Sequence, residues 1–239
     1  MNDPESSADG RKRAAAIRAC DWIQEGMTVG LGTGSTVRYL LEEIARRRDA
    51  GGLREIAGIP TSTETARCAK ALGIPLRSLT ECPELDLTLD GADEVDPELR
   101  LIKGLGGALL REKIVATASR ELVIMVDDAK MVKRLGTKGP LPVEVDPFGA
   151  SLQLSFLREL GGEPVLRLGT SGEPVVTDGG HHLLDCHFPE GISDPAALEG
   201  ELDRRVGIVG SGLFLGMTSA VVVAEPGGVR ILRREEASR

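Results

Sequence analysis

Residues Met27–Ala45, MTVGLGTGSTVRYLLEEIA, contain a short apolar run, a glycine-rich turn and an amphipathic helix in immediate succession. The helix is indicated by apolar side chains at the i, i+3, i+4, i+7, i+8 spacing, namely Val37, Leu40, Leu41, Ile44 and Ala45. A strand that enters a glycine turn and then a helix is the usual first unit of a parallel sheet covered by helices. The stretch therefore predicts an α/β fold.

The same alternation continues to residue 126. Apolar runs predict strands at 56–59, 85–89 and 122–126, and helical patterns occur at 64–72 and 108–119. A further helix is predicted before the quoted stretch, at 15–24, with Ile17, Cys20 and Ile23 on its apolar stripe, and the first ten residues are predicted to form a loose arm. This order predicts a Rossmann-like, doubly wound and mostly parallel sheet.

The pattern changes after Gly136. Strands are predicted at PVEV (142–145), PVLRL (164–168), PVVTD (174–178), HHLLDC (181–186) and GIVGSG (207–212), with helices at 148–160 and 194–205. This order is typical of a smaller α+β module of the ferredoxin-like kind. The last runs, SAVVVAEP and GVRILRR, are predicted to return to the first sheet. We therefore expect one domain of residues 1–134 plus 210–239 and a second of residues 135–209.

Composition excludes several classes of protein. The 239 residues are 41% hydrophobic and carry a net charge of −8, which argues against a nucleic-acid surface. No apolar run approaches the ~20 residues that span a bilayer, and the polar N-terminus lacks the apolar core of a signal peptide. The four cysteines show no C-x-x-C spacing. We expect a cytoplasmic protein with reduced thiols and neither a membrane nor a nucleic-acid partner.

The glycine turn at Gly30–Ser35 is not a dinucleotide-binding motif. Ser35 occupies the position of the third glycine, and the next strand runs into Pro60-Thr61-Ser62, where an acid would be needed for the ribose. The residues that remain, Thr33, Gly34, Ser35 and Thr36, offer backbone N–H groups and hydroxyls at a helix N-terminus. An anion site and a simple N-cap explain this pattern equally well.

A second polar cluster, DGADEVDPELRLIKGLGGALLREK, covers Asp90–Lys113. Asp90 and Asp93 follow a predicted strand, and ligands of open parallel sheets bind at the carboxyl ends of strands, although Asp-Gly is also a common turn pair. Lys103 then precedes Gly104–Gly107 at a second helix N-terminus. An ammonium group and backbone donors suit an oxygen that becomes negatively charged during a reaction.

The neighbours of Glu112 at −4, −3, +3 and +4 on its predicted helix are all apolar, namely Ala108, Leu109, Val115 and Ala116. A carboxylate in such an environment loses solvation, so its pKa should rise from about 4.3 toward neutrality. Such a group can take and return a proton near pH 7. A buried ion pair with a nearby lysine is the alternative, because helical placement alone does not separate the two.

The only three histidines, His181, His182 and His187, fall in a predicted hairpin of the smaller domain. Neither an acid nor a cysteine completes a metal-ligand set with the right spacing. We expect ordinary strand residues there and no metal site, and their role stays open.

Taken together, five motifs are recognisable: GLGTGST (30–36), DGADEVD (90–96), IKGLGGALLREKIVA (102–116), DDAK (127–130) and LPVEV (141–145). In order and spacing they resemble ribose-5-phosphate isomerase of type A, and TDGGHHLLD and GLF extend the likeness over nearly the whole chain. The resemblance implies an enzyme that interconverts D-ribose 5-phosphate and D-ribulose 5-phosphate in the non-oxidative pentose phosphate pathway. It also implies a Rossmann-like domain with a smaller α+β domain, a homodimer or homotetramer, and no metal or organic cofactor.

The resemblance also implies roles for single residues. Glu112 looks like the base that moves a proton between C1 and C2, and Asp90 and Asp93 look like acids for ring opening and hydroxyl proton transfer. Lys103 with the turn after it resembles the oxyanion stabiliser. The implied substrate-binding set is Thr33, Gly34, Ser35, Thr36, Asp90, Gly91, Ala92, Asp93, Lys103, Gly104, Leu105, Gly106 and Lys130.

The departures from the family pattern are few. Leu105 stands at a variable place of the glycine turn, and Gly179 and His181 replace asparagines of a T-D-N-G-N turn. Two alternatives stay open: an amino-sugar-phosphate deaminase of the same superfamily, and a sugar-phosphate-sensing regulator. The regulator would need a DNA-binding module, and no basic segment of sufficient length precedes Ala15.

Overall fold

The structure is a computed structural model that describes residues 7–234. The strands, in chain order, are β1 (Thr28–Leu31), β2 (Ala57–Pro60), β3 (Leu87–Asp90), β4 (Glu94–Val95), β5 (Leu101–Ile102), β6 (Leu122–Asp127), β7 (Leu141–Val145), β8 (Glu163–Leu166), β9 (His182–His187), β10 (Ile208–Ser211), β11 (Leu213–Phe214), β12 (Ala220–Glu225) and β13 (Gly228–Arg233). The helices are α1 (Ala8–Ala19), α2 (Ser35–Asp49), α3 (Thr63–Ala71), α4 (Leu109–Thr117), α5 (Ala150–Glu159) and α6 (Pro195–Arg204).

These elements form two compact units. The first consists of residues 7–92, 111–130 and 217–234, and the second of residues 93–110 and 131–216. Residues 93–110, 131–134 and 210–216, which the sequence places in the larger domain, belong to the second unit instead.

The first unit is built on a six-stranded sheet in the order β13-β12-β6-β3-β1-β2. All neighbouring pairs are parallel except β12 with β13, which is antiparallel. All six residues of β6 are buried, which explains why this strand reads as an unbroken apolar run. The predicted mostly parallel α/β sheet is confirmed, as is the return of the last two strands to it.

The first helix differs from its prediction. It begins at Ala8, where Ser7 caps it by accepting a 3.0 Å hydrogen bond from the Gly10 N–H, so the predicted loose arm is wrong for residues 8–10. Residues 1–6 of that arm lie outside the described part of the chain. The buried face consists of Ala15, Ala16 and Ala19, whereas Ile17 is 41% exposed. Small side chains let this helix approach its neighbours closely, and they carry no strong apolar signal.

The second unit contains a four-stranded antiparallel sheet in the order β10-β7-β9-β8, with α5 and α6 in the crossovers. The smaller α+β module predicted from the sequence is confirmed. Its predicted strand at 174–178 is wrong, because that segment makes only the single bridges Leu168–Pro174 and Val176–His182. The chain turns at Gly169 and Gly172 and does not form a continuous ladder of strand hydrogen bonds there.

A separate three-stranded sheet, in the order β11-β5-β4, also belongs to the second unit. Its strands have two residues each, too few for any periodicity to reveal them. The sheet fixes two candidate site residues, because Asp93 directly precedes β4 and Lys103 directly follows β5.

Two further sequence expectations concern the cysteines and the membrane. All four cysteines are free thiols, and burial raises the pKa of Cys20 and Cys186 to about 12. None of the helices within residues 7–234 is long and apolar enough to cross a membrane.

Candidate active site

The candidate residues of the first unit lie at one edge of its sheet. β1, β2, β3 and β6 are parallel, so the segments that follow them emerge together at their carboxyl ends. Those segments are the turn at 32–34 with the start of α2, Thr61-Ser62, Asp90 with Gly91 and Ala92, and the short 3-10 turn Asp128–Lys130. Thr33–Thr36, Asp90 and Lys130 therefore all lie at this edge of the sheet.

The turn after β1 leaves the N-terminus of α2 without a side-chain cap. The cap residue is Gly34, whose φ of 120° lies in the region that only glycine enters readily. A side-chain N-cap, the competing explanation of this motif, is thus not formed. The 15-residue helix presents backbone N–H groups and the positive end of its dipole at this point.

A hydroxyl network holds this turn. The Thr33 hydroxyl lies 2.8 Å from Thr61 Oγ1 and 2.9 Å from Ser62 Oγ, and the Thr65 hydroxyl donates to the Gly32 carbonyl at 2.7 Å. Thr33 therefore supports the turn through its side chain. Sequence reasoning missed Thr61, Ser62 and Thr65, whose only signal was a polar segment after an apolar strand.

Asp90 is 1% exposed and connects two of these turns. Its Oδ1 accepts the backbone N–H of Thr33 at 3.1 Å and that of Gly91 at 2.7 Å. A Cβ on Gly32 would lie 2.1 Å from Asp90 Oδ1, so only glycine allows this approach. Asp90 is consequently fixed in position.

Glu112 lies in the first turn of α4 and is 4% exposed. Its helical neighbours are also buried, with exposed fractions of 8% for Ala108, 0% for Leu109, 3% for Val115 and 6% for Ala116. The four apolar neighbours expected from helical spacing are therefore buried together with Glu112.

In the second unit, Lys103 is 3% exposed, and its Nζ lies 5.6 Å from the centre of the Phe214 ring. Its backbone N–H donates to the Gly212 carbonyl at 2.9 Å, which fixes the start of the glycine turn. This ammonium group thus lies beside an aromatic ring in a position that is largely excluded from solvent.

Two N–H groups of the glycine turn after Lys103 already donate to other atoms of the protein. The Leu105 N–H donates to Asp93 Oδ2 at 3.0 Å, and the Gly107 N–H donates to the Gly104 carbonyl at 3.0 Å. The backbone N–H of Leu105, a residue predicted to contact substrate, is therefore already bonded to Asp93. Within residues 7–234 no protein acceptor takes the N–H of Gly104 or Gly106.

The histidines do not gather around a metal site in the described chain. His181 Nδ1 lies 2.9 Å from Glu144 Oε1, which also accepts from the Thr177 hydroxyl at 2.8 Å, and His182 and His187 are the end residues of β9. Residues 7–234 contain no group of three or more His, Cys, Asp or Glu side chains arranged to hold a metal ion.

Comparison with known proteins decides the family. Residues 57–228 match the family model of ribose 5-phosphate isomerase A (phosphoriboisomerase A). The chain belongs to this family. The ribose-5-phosphate isomerase A of Roseiflexus castenholzii is 53% identical over 228 residues, covering 95% of this chain and 97% of that protein. The one of Gloeobacter violaceus is 54% identical over 222 residues, covering 92% and 95%.

Solved structures of ribose-5-phosphate isomerases share the fold. The enzyme of Methanocaldococcus jannaschii is 40% identical with a TM-score of 0.90, covering 95% of this chain and 100% of that one. A D-ribose-5-phosphate isomerase in complex with phospho-erythronic acid is 36% identical with a TM-score of 0.93, at the same coverage. The resemblance found in the sequence is confirmed.

Proposed function

We propose that Glu112 is the catalytic base of this chain. As a ribose-5-phosphate isomerase, the chain interconverts D-ribose 5-phosphate and D-ribulose 5-phosphate. The aldose-to-ketose direction requires removal of a proton from C2 and its return to C1 of an enediolate. The buried position of Glu112 among apolar neighbours is the observation that carries this assignment, because desolvation favours proton uptake by a carboxylate.

The enediolate oxygen needs a stabiliser and the sugar hydroxyls need proton carriers. We assign the stabiliser to the Lys103 ammonium with the N–H groups of Gly104 and Gly106, since donors that are fixed before the reaction are the effective ones. Asp90 and Asp93 serve ring opening and hydroxyl proton transfer. The backbone donors that fix one oxygen of each carboxylate support these roles, because they hold the carboxylates in place.

The phosphate is assigned to the N-terminus of α2, with Ser35, Thr36 and Lys130. An uncapped helix N-terminus at the sheet edge where Lys130 also emerges supports this choice. The phospho-erythronic acid bound by the related isomerase carries a phosphate and a carboxylate. We expect it, and 5-phosphoarabinonate, to compete with substrate here.

The test is a ketose assay with ribose 5-phosphate, with six-carbon sugar phosphates as controls. We expect turnover of the pentose phosphate alone. Ammonia release from glucosamine 6-phosphate, without pentose turnover, would select a deaminase instead.

We further propose a homodimer or homotetramer in the cytoplasm, acting without a metal or organic cofactor in the non-oxidative pentose phosphate pathway. The second unit offers a surface for a second copy, since Phe148, Leu152 and Val206 are 101%, 65% and 92% exposed. The Val206 carbonyl accepts a hydrogen bond from the Gln153 side chain at 3.2 Å, so the segments that carry Leu152 and Val206 are neighbours. Sedimentation of wild type and Phe148→Asp tests this, and a monomeric wild type would contradict it.

A further inference from the structure

Arg167 contacts the glycine turn that follows Lys103, although about 60 residues separate them in sequence. Its Nη1 donates to the carbonyl of Gly104 at 3.2 Å and to that of Leu105 at 3.0 Å. Asp185 holds the other side of the guanidinium: Nε donates to Oδ2 at 2.8 Å and Nη2 donates to Oδ1. The side chains of Arg167 and Asp185 are only 15% and 22% exposed. A forked pair of this kind fixes the guanidinium plane.

The two carbonyls that Arg167 binds determine where two N–H groups point. A trans peptide bond is planar, so its C=O and N–H point in opposite directions. The Gly104 carbonyl shares a peptide unit with the Leu105 N–H, which donates to Asp93. The Leu105 carbonyl shares a peptide unit with the Gly106 N–H, for which no protein acceptor occurs within residues 7–234.

Each of these peptide units is therefore held at its oxygen by a cation. The first is also held at its nitrogen by a carboxylate, and the second points its N–H away from Arg167. Gly104 and Gly107 have φ values of 102° and 81°, and glycine adopts many other backbone conformations as easily, so contacts outside the turn help to select this one. A positive charge on a carbonyl oxygen also polarises the amide and makes its N–H a stronger donor.

We propose that Arg167, oriented by Asp185, is a positioning residue that aims and strengthens the Gly106 N–H toward the enediolate oxygen. The inference rests on the proposed role of the glycine turn. It adds to the reaction two residues that do not touch substrate.

The experiment compares Arg167→Met, Arg167→Lys and Asp185→Asn with wild type. Arg47→Met is the matched control, because Arg47 also binds carboxylates and one backbone carbonyl, that of Ile17 at 3.1 Å, and its side chain is 24% exposed. It lies near the C-terminal end of α2, away from the carboxyl ends of the strands. For each protein, kcat, KM, Tm and the Ki values of inorganic phosphate and 5-phosphoarabinonate are measured.

We expect Arg167→Met to lower kcat by about 10- to 100-fold, somewhat less than the loss of a whole oxyanion donor. The Ki of 5-phosphoarabinonate, which carries negative charge where the enediolate does, should rise by a similar factor. KM and the Ki of inorganic phosphate should stay within about 3-fold, since the lesion acts on the transition state. Arg167→Lys should recover part of kcat, because an ammonium group supplies the charge without the fork. Asp185→Asn keeps the shape of the pair but removes the negative charge that orients Arg167, so kcat should fall here too.

A merely structural role predicts a different pattern. Arg167→Met would then resemble Arg47→Met, with a lower Tm and kcat per folded molecule within 2-fold of wild type, and this result would overturn the inference. Equal rises in both Ki values would overturn it too. If Arg167→Met does not fold, Arg167→Lys and Asp185→Asn decide by the same criteria. Absence of ribose 5-phosphate turnover in wild type would instead contradict the function itself.

Discussion

Replacing Gly32 with Ala should damage the site without changing any polar group. The added Cβ would lie 2.1 Å from Asp90 Oδ1, 2.2 Å from Cγ and 2.7 Å from the backbone Cα of the same residue. An ordinary contact is 3.4 Å or more, so the turn and β3 must separate by roughly an ångström, because the backbone atom cannot rotate away. That shift would break the 3.1 Å hydrogen bond from Thr33 to Asp90.

Overpacking of this kind costs about 1–3 kcal/mol, which corresponds to a fall in Tm of roughly 2–12 °C for a chain of this size. A displacement of about 1 Å at a reacting group lowers kcat/KM by about 10²-fold. The assay is ribulose 5-phosphate formation together with thermal melting. Gly52→Ala is the control, because its nearest atom lies at 3.5 Å. A Gly32→Ala protein with the Tm and kcat/KM of Gly52→Ala would refute the reasoning.

Three further results are expected. Ribose without its phosphate should be a very poor substrate and inorganic phosphate a competitive inhibitor, because we assign phosphate binding to the uncapped α2 N-terminus. Equal kcat/KM for ribose and its phosphate would contradict this assignment. Excess EDTA should leave kcat unchanged. Loss of activity on chelation, restored by a divalent ion, would contradict a metal-free site. Hydrogen bonds from Arg46 and then Arg47 lower the pKa of Glu43 from 4.5 to about 2. The Glu43 carboxylate therefore contributes its full share of the free energy of unfolding above about pH 4.5, and this contribution is lost as the pH falls toward 2. The Tm difference between wild type and Glu43→Gln should vanish over that pH range.

The sequence predicted those parts of the fold that have a strong local signal. Four of the five residues predicted on the stripe of α2 are buried, since Val37, Leu40, Leu41 and Ile44 are at most 1% exposed, and Ala45 is half-buried. In the second unit, the strands and helices of the four-stranded sheet followed from short apolar runs separated by glycine turns, although a further strand at 174–178 was wrongly predicted. The start of α1 was missed because none of residues 8–14 is buried, so the first half of the helix carries no apolar stripe.

Residues that act through distant contacts could not be found in the same way. Asp90, Lys103 and Glu112 stand in motifs where chemistry and spacing coincide, whereas Arg167 and Asp185 lie in ordinary strand sequence. Their relation to the glycine turn exists only after β8 and β9 pair in their observed register. The three-stranded sheet that places Asp93 and Lys103 likewise depends on pairing between two-residue strands far apart in the chain.

Turnover of Glu112→Gln tests the central claim most directly. Glutamine keeps the shape of the side chain and removes the proton acceptor, so kcat should fall by at least about 10²–10⁴-fold while KM changes much less. Glu43→Gln is the matched control, since Glu43 is 6% exposed and Glu112 is 4% exposed, and Glu43 serves an ion pair with Arg46 and Arg47. The control should lower Tm at pH 7 and keep kcat. A folded Glu112→Gln protein with kcat within a few-fold of wild type would contradict the assignment of Glu112 as the base.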